Sequence, residues 1–343
     1  MINIRYHIFT LVAVFLALAI GLVAGSTVIQ QSLVDQLEGN LDRLEQANDD
    51  VEQRNGELDS QLAALRKVDQ ALADQGPAQL LRDRLAGTTV LMVGVDGIDE
   101  SSLGSLRDTI ATSGALLAGP IWLRERLALA DQDDADDLAT ILGIGTRNPS
   151  VLHAELAQRL GDLLAVVGTA APPADDQGGE DSSTATERPV VSGVTAAASA
   201  TRLVQLLDAL EEARFIDVDG GLDDLRPADL VGARFVVGGG SGAKVDNDAL
   251  VLPILERLSQ NTAPSTVVVE AQPADAETPG GEFVGAVRSD RRLRDRLSTV
   301  DDAGVFAGWA ATVLALDDLG RGRVGHYGTG SGAERLLPAP ANG

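Results

Sequence analysis

An uninterrupted apolar run near the N-terminus constrains this chain more than any other feature. Residues 8–29 read IFTLVAVFLALAIGLVAGSTVI and contain no charged side chain. At 1.5 Å of rise per residue, this run forms a helix about 33 Å long, which is enough to cross the hydrocarbon core of a bilayer. We therefore predict a transmembrane anchor at 8–29, preceded by a short segment at 1–7.

The charges on either side of the anchor predict its orientation. Arg5 precedes it, whereas Asp35 and Glu38 follow it and the first basic residue beyond is Arg43. By the positive-inside rule, 1–7 is cytoplasmic and the bulk of the chain is extracytoplasmic, on a single-pass cell-membrane anchor. A cleaved signal peptide is the alternative, but the apolar run exceeds the roughly 7–15 residues of a signal-peptide core.

The segment 30–75 carries an apolar residue at every seventh position. The members of this repeat are Leu37, Leu44, Val51, Leu58, Leu65 and Leu72. A strict seven-residue repeat favours a left-handed coiled coil, and we predict a homodimer or small oligomer. A second seam is partly polar and includes Asn48 and Asn55, and such residues tend to fix register and oligomer state. An amphipathic helix packed on its own domain is the alternative, and Gly76-Pro77 is predicted to end the helix.

Beyond the coiled coil, short β-branched runs alternate with amphipathic stretches. The runs are 88–95, 233–240 and 265–271, and the candidate helices lie at 101–114, 201–213, 247–260 and 302–319. Continuous apolar strands separated by helices predict a mostly parallel sheet with helices on both faces. The predicted fold class is therefore α/β: an N-terminal transmembrane helix, a coiled-coil helix and a doubly wound, Rossmann-like domain.

A polar segment divides the predicted α/β domain into two halves. This segment, GTAAPPADDQGGEDSSTATERP, is rich in Pro, Gly, Ser and Asp and cannot form a core, which predicts a flexible loop. The predicted boundaries are 86–167 for the first half, 168–189 for the loop, 190–334 for the second half and 335–343 for a tail.

Composition excludes several classes of site. The formal net charge is −24 and we expect no cluster of basic residues, so nucleic acid is not a predicted partner. The chain has no cysteine, which excludes disulfides, thiolate metal sites and cysteine nucleophiles. The acidic run 131–137 is interpreted as a solvated helix start or loop rather than a cation site.

Two glycine-rich runs resemble known motifs without matching them. GGGSGAK at 238–244 has Ala243 before Lys244 and Val245 after it, so it fails as a phosphate loop. The same Ala243 breaks the pattern of a nucleophile elbow at Ser241. GTGSGA at 328–333 lacks the spacing of a dinucleotide-binding loop. We therefore expect no catalysis, and no cofactor is evident.

Four segments of the chain resemble one known family. They are LVAVFLALAIGLVAGS at 11–26, STVDD at 298–302, TVLAL at 312–316 and GHYGTGSGA at 325–333. In these segments and in its layout the chain is similar to the mycobacterial copper transport protein B (MctB) family of actinobacterial envelope proteins. The resemblance implies a role in copper homeostasis or efflux, with copper as the metal and the cell membrane or outer membrane as the location.

The histidine of the last segment is the candidate metal ligand. Copper carriers usually present Cys, Met or several His, whereas this chain has two methionines and only His7, His153 and His326. We predict His326 as the metal residue. Its predicted surroundings form a loop or partner surface, composed of Tyr327, Gly325, Gly328, Gly330, Asp301 and Asp302. A structural turn and a partner-docking surface are the alternatives to a metal site there.

The sequence leaves two functions open. The first, implied by the resemblance, is a membrane-anchored envelope protein acting in copper homeostasis or efflux. The second is a non-catalytic coiled-coil scaffold or interaction module, which engages envelope proteins of the wall or division machinery without binding copper. The scarcity of copper ligands favours the second, and the resemblance favours the first.

Overall fold

The computed structural model of this chain describes residues 4–169, 193–219, 226–260, 263–271 and 281–339. The chain divides into two compact units, Met1–Val68 and Asp69–Gly343. The predicted loop at 168–189 and the end of the predicted tail at 335–343 lie largely outside the described residues.

Helix α1 runs over Ile4–Gly76. Its portion Arg5–Gly25 is long and apolar enough to cross a membrane, and its side chains are exposed to the surroundings. This confirms an N-terminal helix that could span a membrane. The helix ends at Gly76 as predicted, because Pro77 cannot donate the next backbone hydrogen bond of an α-helix.

The second unit alternates strands and helices. Its strands are β1 Thr89–Val95, β2 Leu116–Leu123, β3 Ile216–Val218, β4 Arg234–Gly239, β5 Thr266–Glu270, β6 Ser298–Val300 and β7 His326–Tyr327. Its α-helices are α2 Glu100–Thr112, α3 Gln132–Leu142, α4 Pro149–Thr169, α5 Gly193–Glu212, α6 Pro227–Leu230, α7 Leu252–Ser259, α8 Glu282–Ser289, α9 Arg291–Arg294 and α10 Phe306–Leu319. Short π-helical and 3₁₀ turns lie at Pro77–Leu81, Glu125–Ala128 and Asn247–Val251.

The strands form one sheet in the order β3-β2-β1-β4-β5-β6-β7. Every neighbouring pair is parallel except β2 with β3, which is antiparallel. The predicted α/β fold with a mostly parallel sheet is therefore confirmed. The chain builds outward from β1 on one side, returns to β4 beside β1, and then builds outward on the other side, which is the doubly wound pattern.

The core lies on both faces of this sheet because successive strand residues point to opposite faces. Leu91 of β1 and Val237 of β4 belong to one buried cluster, which includes residues of α3, α4, α5 and α7. Their neighbours Met92 and Val236 belong to a second cluster, which includes residues of α2 and α10. Both faces are thus covered by helices, and the central strands read as continuous apolar runs.

Three of the seven strands match predicted runs, and four are absent from the prediction. The runs 88–95, 233–240 and 265–271 contain β1, β4 and β5. Strand β2 was not predicted because Gly119-Pro120 resembles a turn. Opposite this step, the register between β2 and β1 shifts between Leu91 and Val93, as at a β-bulge. Strands β3, β6 and β7 are only two or three residues long, too short for a periodic signal.

The acidic run 131–137 forms the start of a helix, α3, which begins at Gln132. Arg126 donates to Asp134 and to Asp137, each at 2.6 Å. These carboxylates therefore neutralise an arginine of the preceding turn, which is a structural use of the acidic residues.

Replacing Phe235 by alanine should destabilise the second unit strongly. This ring is fully buried on β4 and occupies the space where a side chain on Gly168 would otherwise sit. We expect a loss of roughly 3–5 kcal/mol in the free energy of unfolding, because the cavity relaxes only in part. Urea unfolding of the detergent-solubilised chain, followed by the fluorescence of buried Trp122 and Trp309, measures it.

Leu116→Ala is the matched control, since the Leu116 side chain is 61% exposed on β2. We expect it to change the unfolding free energy by no more than roughly 0.5 kcal/mol. Equal losses for the two variants would contradict the assignment of Phe235 to the core.

Candidate functional site

The carboxyl edge of the parallel strands is where a sheet of this kind binds ligands, at the point where strand order reverses. In this chain that point lies between β1 and β4. Asp301 and Asp302 follow β6 on the same edge. His326 and Tyr327 form β7, with Gly325 before it and Gly328 and Gly330 after it. The edge therefore has two parts to consider, the β1–β4 crevice and the C-terminal loop.

Main chain from both loops fills the β1–β4 crevice. The backbone N–H of Lys244 donates to the carbonyl of Asp96 at 2.7 Å. Gly97 has φ +93°, and a side chain there would overlap the carbonyl oxygen of Gly242. The two loops are therefore in direct backbone contact. The run GGGSGAK ends β4 and continues into the loop that contacts the β1 loop.

An ionic cluster lies at the same crevice. Arg124 is 3.4 Å from Asp96 Oδ1 and also pairs with Asp217. Asp96 Oδ2 accepts a hydrogen bond from the backbone N–H of Glu125, and the Glu125 carboxylate is 2.8 Å from Lys244 Nζ. Every charge in this cluster has an opposite partner within reach. The cluster therefore fastens the loops together.

Asp301, directly after β6, is the centre of the C-terminal loop. Its side chain is 3% exposed, and its Oδ2 is 2.7 Å from Arg288 NH1. Backbone N–H groups of Thr329 and Gly330 donate to its two oxygens at 3.0 and 2.8 Å. A buried carboxylate is tolerated when an opposite charge and hydrogen bonds replace its water, and here both are present.

The glycines of the run GHYGTGSGA let the main chain close around this carboxylate. Gly328 has φ +123°, and a side chain on it would overlap the Asp301 carboxylate. A Cβ on Gly330 would lie 2.8 Å from Asp301 Oδ2. Gly325 lies on the other side of β7, where its carbonyl accepts from the backbone N–H of Thr299. Gly328 and Gly330 are therefore required by a close approach of backbone to a buried acid, whereas a side chain on Gly325 would overlap the Tyr327 phenol.

Arg288 on α8 is the residue that sequence reasoning missed. Its side chain is 4% exposed and donates to Thr299 Oγ1 at 2.8 Å, as well as to Asp301. It also donates to the carbonyls of Tyr327 at 2.8 Å and Ser331 at 3.1 Å. Strand β6, strand β7 and the glycine-rich loop are thus held by one guanidinium. The available signal was its place on the apolar face of α8, where an arginine requires partners.

Protein groups surround the buried ring of His326. Thr299 Oγ1 accepts the Nε–H of Arg288, and it also lies 3.0 Å from His326 Nδ1, within hydrogen-bond distance. A hydrogen bond with the backbone of Arg294 acts on the same imidazole. Burial lowers the pKa of His326 below its ordinary 6.5, so the ring stays neutral. This geometry fits the structural-turn alternative.

The remaining predicted neighbours of His326 have separate structural partners. Burial raises the pKa of the Asp302 carboxyl, which bonds to the backbone of Gly304 rather than to the Asp301 cluster. The ring of Tyr327 is buried, burial raises the pKa of its phenol, and its carbonyl accepts from Arg288. Asp301, Gly328 and Gly330 are therefore brought together, while Asp302 bonds elsewhere.

His153, Met92 and His7 are the other candidate copper ligands that the structure describes. His153 is buried with Nε2 2.7 Å from the carbonyl of Leu127, and Met92 is buried in the core. His7 lies on the apolar part of α1. Across the described ranges, no group of three His, Cys, Asp or Glu side chains is arranged to hold a metal ion. His326 as a metal ligand stays a prediction.

The expectation that basic residues are unclustered is wrong. The run RSDRRLRDR places five arginines within residues 288–296. Arg288 is buried, and four others are exposed on and after α9, namely Arg291, Arg292, Arg294 and Arg296. Asp295 lies 3.6 Å from Arg291 and 3.7 Å from Arg294. Acidic residues are thus interleaved with the arginines, and the argument against nucleic acid rests on the net charge of −24.

Comparison with known proteins gives one family over nearly the whole chain. The family described as "Copper transport outer membrane protein, MctB" matches residues 1–338. The proteins named Copper transporter MctB of Mycobacterium bovis and Mycobacterium tuberculosis are 26% identical over 352 residues, covering 97% of this chain and 98% of theirs. That of Mycobacterium leprae is 26% identical over 348 residues, covering 98% of this chain and 99% of its own.

Asp301→Asn should destabilise the second unit because it leaves the buried charge of Arg288 without its counter-ion. We expect a loss of roughly 3–5 kcal/mol in unfolding free energy, measured in urea at neutral pH. Asp295→Asn is the control, since that carboxylate is about half exposed and its ion pairs are long. It should cost less than about 1 kcal/mol. A similar small loss for both variants would rule out the Arg288–Asp301 pair as a structural anchor.

The stability of the second unit should fall as pH drops below about 6.5, in part through His326. Because the folded pKa is lowered, the unfolded chain binds a proton first as the pH falls, so stability is complete above 6.5 and declines below it. His326→Asn keeps an acceptor for Thr299 without titrating. Urea unfolding across this pH range should show a shallower decline in the variant, and identical slopes would contradict the buried neutral ring.

Proposed function

We propose, from the premise that this chain belongs to the MctB family of copper transport outer membrane proteins, that it is a membrane-anchored protein of copper homeostasis or transport in the cell envelope. The observation that carries the proposal is the family match over residues 1–338, which includes both the apolar helix and the C-terminal loop. The relatives align over 97% of the chain, so the likeness extends to its whole layout.

We propose a single-pass topology with the N-terminus in the cytoplasm and the α/β unit outside. The support is the charge asymmetry around the candidate span Arg5–Gly25, with Arg5 at its start and acidic residues after it. The family description adds the outer membrane as a location. The acidic composition also suits a domain exposed to solvent outside the membrane.

Copper enters this proposal as cargo. The imidazoles of His153 and His326 already bond to protein groups, and Met92 is buried among apolar side chains. The described residues therefore do not fit a resident copper site built from the donors that copper prefers. We propose that the α/β unit contributes to copper handling through other envelope proteins.

We also propose that the protein is not an enzyme. The crevice at the switch point is filled by the loops that carry Gly97 and Gly242. Ser241 lies in the second of these loops and lacks the surrounding motif of a nucleophile. The support for a scaffold or interaction module without direct copper binding is the burial of His326 and its contact with Thr299, and this stands as the second candidate function.

Deletion of the gene should lower copper tolerance, and the full chain should restore it. His326→Asn should restore tolerance as well as the unaltered chain does, because the ring is buried and its Nδ1 lies within hydrogen-bond distance of Thr299. Growth across a copper series measures this, with a zinc series as the control for general envelope damage.

Two outcomes would overturn parts of this proposal. Normal copper tolerance in the deletion strain would remove the copper role and leave the scaffold function. Failure of a stably folded His326→Asn variant to restore copper tolerance would make His326 a functional ligand.

A further inference from the structure

An apolar stripe on α1 lies open to solvent within the first unit. Six large side chains between residues 41 and 65 are between 49% and 69% exposed, and these are Leu41, Leu44, Val51, Leu58, Leu62 and Leu65. They belong to the part of α1 that follows the apolar span Arg5–Gly25. Apolar residues at this density on one helix indicate a face that packs against a partner.

The spacing of the stripe is that of a two-stranded coiled coil. In heptad notation the a positions are Leu41, Asn48, Asn55 and Leu62, and the d positions are Leu44, Val51, Leu58 and Leu65. The outward b, c and f positions carry mostly charged or polar residues, such as Asp49, Asp50 and Lys67. The apolar face is therefore the narrow a/d seam that one partner helix covers.

The two asparagines at a positions select the partner. A buried Asn at position a is best satisfied by the same Asn of an identical helix in register, and it disfavours other registers and higher oligomers. In the single chain both are exposed, and Asn48 reaches only Glu52 along its own helix, at 3.2 Å. A second copy of this chain brings Asn48 to Asn48 and Asn55 to Asn55.

The charges beside the seam select a parallel pairing. In a parallel dimer, position g faces position e of the next heptad on the partner, and this places Arg54 opposite Asp59 in both directions. No like-charged pair arises at the other g–e contacts between residues 41 and 68. An antiparallel pairing of the same segment instead sets e against e, which brings Glu52 against Asp59 in both directions while Glu45 meets Arg66. Anchoring of both copies in one membrane, at the same end of α1, favours the same orientation.

We propose that residues 41–68 form a parallel, in-register coiled-coil dimer with a second copy of this chain, with Asn48 and Asn55 paired across the seam. The interface has only two leucines at its a positions and relies on shared membrane anchoring for its strength. The inference uses the anchor from the proposed function and does not use copper, so cross-linking tests it independently of copper tolerance.

Single cysteines test this pairing cleanly because the chain has no cysteine of its own. Leu41→Cys and Leu62→Cys are made separately in the full-length membrane-embedded chain and oxidised with diamide. Each should give a disulfide-linked dimer on a non-reducing gel. Ser60→Cys is the matched control, since residue 60 is at the outward f position and should give almost none.

An antiparallel pair cannot link both positions to themselves, because residues 41 and 62 are about 31 Å apart along a helix. Linking at only one of them would overturn the parallel register, and equal linking at residue 60 would overturn the seam itself. Asn55→Cys provides a third a position that keeps every leucine in place. Absence of dimer at all three a positions would overturn the proposal.

Charge reversal gives a second readout. Arg54→Glu should weaken dimerisation in detergent roughly fivefold, because a parallel dimer contains two such pairs. The double change Arg54→Glu with Asp59→Arg should restore it. Equal weakening by the single and double variants would contradict the Arg54–Asp59 contact.

Discussion

The buried ion pair between Arg288 and Asp301 is the interaction on which the C-terminal edge of the sheet depends. Strands β6 and β7 are three and two residues long, and backbone pairing of that length cannot hold an edge alone. Arg288 supplies the missing connections by bonding to Thr299 of β6 and to the carbonyl of Tyr327 in β7. Asp301 then fixes the following loop through two backbone N–H groups. The position of His326 is a consequence of this arrangement, since its ring bonds to the same threonine that Arg288 holds.

The sequence predicted those parts of the fold whose residues carry a signal of their own. Strands β1, β4 and β5 are long apolar runs, and α1 has both an apolar span and a seven-residue repeat. Strand β2 was not predictable in the same way, because its Gly119-Pro120 step looks like a turn until β1 and β3 are known to flank it. The two-residue strand β7 has no periodicity to read. It forms because Thr299 of β6 and Arg288 of α8 bond to the main chain at and beside it. These contacts are tertiary and leave no mark in the local sequence.

At the candidate site, the sequence identified the glycine-rich run GHYGTGSGA and Asp301, but it did not show that the run folds around the Asp301 carboxylate. The glycines at 325, 328 and 330 suggested a close backbone approach, and Asp301 was among the predicted neighbours. Gly328 and Gly330 approach the Asp301 carboxylate, whereas Gly325 approaches the Tyr327 phenol. The counter-charge of Asp301 comes from Arg288 on α8, which sequence spacing does not connect to β6. The sequence alone does not reveal the hydrogen-bond partners of the His326 imidazole, so it predicts a metal ligand there. Thr299 Oγ1 lies within hydrogen-bond distance of both Arg288 Nε and His326 Nδ1, which gives the buried ring a structural contact, and His326 as a metal ligand stays a prediction.

The two units differ in which of their groups lack partners: paired charges in the α/β unit, and exposed apolar side chains in the first unit. In the described part of the α/β unit, the charges at the switch-point crevice have opposite partners, and the loops after β1 and β4 are in contact there. In the first unit, the large apolar side chains between residues 41 and 65 have no such cover. Contact of these apolar side chains with water costs free energy along the whole stripe, whereas the switch-point crevice exposes no comparable apolar surface among the described residues. Within the described residues, the exposed large apolar side chains are thus concentrated on α1, and this is the surface on which the proposed pairing with a second copy depends.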